Sequence, residues 1–121
     1  MQRSYFKVLE KIEREQYESC DINNLTEHVQ DRKERIETYR NKLGKGNIVD
    51  AFVVDKNHPG GNEIHILKDN RVIEIFNQNT KRFITVLYAR PSQIKRYYDD
   101  FGKAPEHLFD KFDYELNLNK I

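Results

Sequence analysis

Between Asn62 and Tyr98 the chain reads NEIHILKDNRVIEIFNQNTKRFITVLYARPSQIKRYY, and His65, Thr85, Arg90 and Arg96 fall on adjacent short segments of it. An imidazole, a hydroxyl and guanidinium groups in one cleft suit RNA transesterification. There the 2′-OH of the RNA is the nucleophile, and the protein supplies a proton acceptor or donor and positive charge for the phosphorane. His65 could transfer the proton, because imidazole titrates near neutrality. Arg90 and Arg96 could hold phosphate oxygens bidentately, which a planar guanidinium does better than an ammonium. Thr85 could donate to the same oxygens, and Tyr97 and Tyr98 offer rings on which bases stack whatever their sequence. Each assignment has a plainer counterpart: His65 as a satisfied surface histidine, the arginines as a solvated face, the tyrosines as wedges under a helix.

Other chemistries find less support. His28, His58, His65 and His107 lie on four different expected elements without an H-x-x-x-H pair, and the carboxylates show no calcium-loop spacing, so neither metal nor cofactor is expected. The HPGGN stretch at 58–62 lacks the Lys-Ser/Thr of a phosphate-binding loop and leads into a strand pattern. Ser4, Ser19 and Ser92 sit in no G-x-S-x-G context, and Cys20, the sole cysteine, has no partner for an internal disulfide and reads as an inert thiol. Net charge is only +1, but residues 81–98 carry five Lys and Arg with no acid, whereas residues 99–115 have a net charge of −4. A basic face beside an acidic tail suits an anionic ligand.

The elements that would position these residues follow from periodicity. At 121 residues, 37% hydrophobic and 34% charged, with seven Tyr and seven Phe, the chain fits a single domain spanning 1–121. Leu25, Val29, Ile36, Tyr39 and Leu43 make one apolar stripe, with Asn24 and Glu27 resembling a capping box and Gly44 a stop. Tyr5, Phe6, Leu9 and Ile12 suggest a first helix before it, giving an N-terminal helical hairpin over 1–43 that covers a sheet. From residue 47 the period becomes 2, and strands are expected near 48–55, 63–67, 71–77 and 82–89 with short connections. That is a four-stranded antiparallel β-meander. If Ile64 and Ile66 face the core, Glu63 and His65 face the other way; the side Thr85 takes is ambiguous. Pro91 suits the first turn of a helix over 92–101 stopped at Gly102, and a last helix is expected over 104–118. The class is α+β. No apolar run approaches the roughly 20 residues of a membrane span, and the N-terminus lacks the apolar core of a signal peptide, so a cytoplasmic protein without membrane partners is expected.

The strings E-I-H at 63–65, N-x-x-T at 77–80 and I-T-V-L-Y-A-R-P-S-Q-I-K-R-Y at 84–97 resemble phage and prophage nuclease domains of the barnase, colicin and RelE-type superfamily, the BECR fold. The resemblance covers about residues 47–100. It implies a small α+β domain, many of whose relatives are metal-independent ribonucleases deployed as toxins. It implies an active-site group of His65, Thr85 and Arg90, with Gln93 and Arg96 supporting the phosphate or the fold and Lys56, His58, Lys81 and Arg82 flanking it. It also implies RNA as substrate, with an immunity or antitoxin protein as a further partner. Two rivals stand beside this expectation: a nucleic-acid or protein-binding module that keeps the fold without the chemistry, and a toxin-neutralising partner suggested by the acidic stretch from Asp99 to Glu115.

Overall fold

Valine, isoleucine and aromatic residues dominate the middle of the chain, and there the backbone takes up strands. The computed structural model describes residues 6–25, 30–57 and 59–109. Along the chain come β1 (Lys7–Ile12), α1 (Arg14–Tyr17), β2 (Asp21–Leu25), α2 (Gln30–Leu43), β3 (Ile48–Asp55), β4 (Glu63–Lys68), β5 (Val72–Asn77), β6 (Arg82–Tyr88), α3 (Pro91–Tyr97) and a 3₁₀ turn at Glu106–Phe109. The strands form a six-stranded mixed sheet in the order β1-β3-β4-β5-β6-β2. Neighbours from β1 through to β6 are antiparallel, and β2 lies parallel to β6.

This corrects the expected architecture. The N-terminal third is not a helical hairpin, and the four central strands are the middle of a larger sheet. Residues 7–12 form a strand on the edge of β3, residues 21–25 form one on the edge of β6, and between them only the four residues of α1 are helical. The misreading has a local cause. A register shift between Val8 and Glu10 leaves Leu9 as an extra, 41% exposed residue. Such a bulge reverses strand parity, so Phe6 and Val8 pack on one face of the sheet and Ile12 on the other. Apolar residues at 6, 9 and 12 then imitate a helical step. Tertiary pairing decides the outcome, because β1 satisfies backbone groups of β3 that an edge would leave open. Asn24 lies in β2 rather than at a helix start, and Glu27 and Val29 lie outside the described residues, as does the expected last helix beyond Phe109. The helix after Pro91 ends at Tyr97, short of the expected 101.

Both faces of the sheet are covered, which leaves every residue of β4 buried. One face packs Ile64, Ile66, Phe76, Phe83 and Val86 against Ile36 and Tyr39 of α2. The other packs Phe52, Leu67, Ile73 and Ile75 against Ile94, Tyr97 and Leu108. α2 stops where Gly44, at φ 81°, donates its N–H to the Arg40 carbonyl at 2.9 Å, a left-handed cap that glycine reaches without strain. Asn70 of the β4–β5 turn donates to the same Gly44 carbonyl at 3.0 Å and fixes the helix end to the sheet. Among the described residues no helix is long and apolar enough to cross a membrane.

Candidate functional site

Pleat alternation puts Glu63 and His65 of β4 on the α3 face, beneath Tyr97 at the end of α3. His65 Nε2 lies 2.8 Å from Glu63 Oε1, and His65 Nδ1 lies 2.6 Å from the Tyr97 hydroxyl. Protonation follows from donor and acceptor capacity. An ionised carboxylate only accepts, so Nε2 carries the hydrogen and donates to Glu63. Nδ1 of a neutral imidazole then accepts, so the Tyr97 O–H donates to it. Burial holds the imidazole below its usual pKa, Lys56 pushes in the same direction, and Glu63 opposes both. Burial, and then the Glu63 charge, raise the Tyr97 phenol above its ordinary value, which keeps it a donor. His65 is 3% exposed.

The chain of three groups backs onto a cleft of about 590 Å³ between α3 and the sheet. Ile73, Ile75 and Leu87 give it an apolar floor; Lys56, Ser92, Gln93 and Arg96 give it a polar margin. Phe6 sits at its edge, its ring centroid 5.4 Å from that of Tyr97 and 6.3 Å from that of His65, and the Arg96 guanidinium lies 4.1 Å above the Phe6 ring. Gln93 has a second task, since its side-chain oxygen accepts the Arg90 N–H at 2.7 Å and caps α3, with Pro91 opening the helix.

Of the residues singled out in the sequence, His65, Lys56, Gln93, Arg96 and Tyr97 meet at this cleft. Thr85 shares its face, because a register shift beside Phe83 leaves Thr85 opposite Ile75, but Ile75 separates it from His65 by two strand spacings, roughly 10 Å. Arg90 is exposed at the cap of α3 and is not among the residues lining the cleft. Lys81, at φ 62°, turns its ammonium to the Gln78 carbonyl in the β5–β6 turn, and Arg82 is exposed at the start of β6 opposite Asp21. His58 lies outside the described residues. Three contributors were not foreseen: Glu63 as a partner of His65, Ser92, and Phe6 reaching in from the chain start. Only Glu63 left a signal, the two-residue spacing that places it beside His65 on a strand. Among the described residues no three His, Cys, Asp or Glu side chains are grouped to hold a metal ion.

Compared with protein-family models, curated proteins and solved structures, the chain matches none.

Proposed function

We propose that the chain is a metal-independent endoribonuclease-like domain of phage or mobile-element origin, cleaving RNA by 2′-OH transesterification at the cleft under α3. The observation that carries the reading is the chain Tyr97–His65–Glu63 at a wall shared with Lys56 and Arg96. A hydroxyl, a base within hydrogen-bond reach and a carboxylate orienting that base is a recurring arrangement of proton-transfer sites. A ribose 2′-OH seated against Tyr97 passes its proton to the phenol oxygen as the phenol proton moves to His65 Nδ1, and Glu63 stabilises the imidazolium. The 2′-oxygen bonds to phosphorus while Lys56 and Arg96 offset charge on the non-bridging oxygens. The bond from phosphorus to the 5′-oxygen breaks, that oxygen takes the proton back along the same chain, and a 2′,3′-cyclic phosphate remains. The resemblance at 63–65 and 84–97 supports the same reading.

The test is incubation of the purified protein with labelled RNA and with its 2′-O-methyl counterpart, each with and without a chelator. Cleavage of the first alone, unaffected by chelator and ending in a cyclic phosphate, is expected. Tyr97→Phe keeps the ring packing and removes the relay, so a fall in rate of ~10²-fold or more is expected. Unchanged cleavage in Tyr97→Phe would remove the relay from the mechanism.

One observation favours a second reading, a non-catalytic binding module: the imidazole is buried and both its nitrogens are already paired. On that reading RNA is bound but not cut. Tyr97→Phe then leaves affinity unchanged, whereas Lys56→Ala and Arg96→Ala each weaken it and reduce the salt slope by about one unit.

A further inference from the structure

The face of the sheet turned toward α2 holds a second cleft, of about 370 Å³, whose walls come from the α1–β2 segment, the end of α2 and strands β4 and β5. Ile66 and Phe76 are apolar parts of its lining, and Arg40, Lys68 and Glu74 are charged ones. Lys68 is 5% and Glu74 7% exposed, so two ionisable side chains are held away from water. Their pairing is incomplete. Lys68 Nζ stands 3.8 Å from Glu74 Oε1, and Arg40 Nη2 stands 3.8 Å from Glu74 Oε2; both distances exceed hydrogen-bond length.

Donors outnumber acceptors. The Lys68 ammonium has three N–H groups, and the hydrogen bond described for it runs to the Lys45 carbonyl at 3.5 Å, the limit for such a bond. Arg40 Nε is buried with no partner among the described residues. Four cations, Arg14, Arg40, Lys45 and Lys68, against three carboxylates, Glu18, Asp21 and Glu74, leave one positive charge in the lining. Burial lowers the Lys68 pKa, Arg40 and Lys45 push it further down, and Glu74 and Asp69 oppose them. A buried donor without a partner is destabilising, so a group that supplied acceptor oxygens and one negative charge would complete the cluster.

We propose that this cleft is a binding site, separate from the one under α3, for a small organic oxyanion whose carboxylate or phosphate head is held by Lys68 and Arg40 and whose apolar body lies on Ile66 and Phe76. The rim excludes a polyanion, because Glu18 and Asp21 line it together with Arg14 and leave no continuous cationic track. The volume admits a body the size of one ring beside the head group.

The experiment is an amide ¹H–¹⁵N titration of the full chain with phenyl phosphate, benzoate and benzyl alcohol as probes. Saturable shifts at Ile66, Lys68, Glu74 and Phe76 with either oxyanion, and none with the alcohol, are expected; the tighter oxyanion identifies the head group. Gln93 and Arg96 should not move. Arg40 is partly exposed, so Arg40→Gln should fold and melt like the parent while binding at least tenfold more weakly, and Lys68→Gln should bind more weakly still. The proposal is overturned by absence of saturable shifts with both oxyanions, by equal shifts with benzyl alcohol, or by unchanged binding in a folded Arg40→Gln.

Discussion

On the α3 face of the sheet Glu63, His65 and Tyr97 are linked at 2.8 and 2.6 Å, while on the α2 face Lys68, Glu74 and Arg40 stand 3.8 Å apart. Both groups are largely buried, and each contains one carboxylate from the middle of the sheet. The first pairs it with a neutral imidazole that takes a second hydrogen bond from Tyr97, so both ring nitrogens are used and only one charge is desolvated. The second surrounds it with cations and relies on charge attraction without hydrogen bonds, leaving a surplus of donors. Close hydrogen bonding makes a network complete in itself; charge pairing at a longer distance leaves room for another acceptor. Both groups line clefts, through His65 and Tyr97 on one face and through Arg40, Lys68 and Glu74 on the other.

The largest effect should come from removing the carboxylate on the loosely paired side. Glu74→Leu leaves a buried ammonium and a guanidinium without a counter-charge, and should lower unfolding free energy by about 3 kcal/mol. Glu63→Leu strands one neutral N–H and should cost about 2 kcal/mol. Urea unfolding, read from the midpoint at unchanged slope, checks both. If Glu63→Leu proves the costlier, hydrogen-bond length outweighs charge, and the contrast between the faces reverses.

Acidification should separate the two faces next. The His65 pKa is lower in the folded state than in the unfolded chain, where it is near 6.5. As pH falls through that value the unfolded chain takes up the proton first. The stability from keeping His65 neutral is therefore complete above about pH 6.5 and is lost progressively below it, at no more than about 1.4 kcal/mol per pH unit. Unfolding midpoints of wild type and His65→Gln between pH 7 and pH 5 give the measurement. A shallower decline in the variant is expected, and parallel curves would show that His65 does not carry the acid response.

How much of this was legible in the sequence varied with how local the cause was. The central strands follow short runs rich in β-branched and aromatic residues, such as Ala51–Val54 and Val72–Phe76, and they form at 48–55, 63–68, 72–77 and 82–88. The edge strands were not legible. One carries a bulge at Leu9 that mimics a helical step, and the other, Asp21–Leu25, is polar and is held by pairing with a strand more than fifty residues away. The sequence pattern put His65 opposite Ile64 and Ile66, but not under cover; burial came from Phe6 and Tyr97, which lie far from it along the chain. The Arg40, Lys68 and Glu74 cluster left no signal at all, since each of its members belongs to a different element and reads alone as a surface charge.

The smallest effect sharpens the contrast most. Lys68→Met removes the buried ammonium and keeps a side chain of similar length. Glu74 then retains Arg40, so no charge is left without a counterpart, and the desolvation cost of the ammonium disappears. Because the contacts of Lys68 among the described residues are a 3.5 Å hydrogen bond and a 3.8 Å ion pair, little is lost with it, and stability should change by less than about 1 kcal/mol. Equilibrium unfolding in urea suffices to read this. A loss of several kcal/mol would mean that the cluster is held together by Lys68 and is complete without a ligand, like its counterpart across the sheet. A near-neutral result combined with lost oxyanion binding would mean that the lysine is retained for the ligand rather than for the fold.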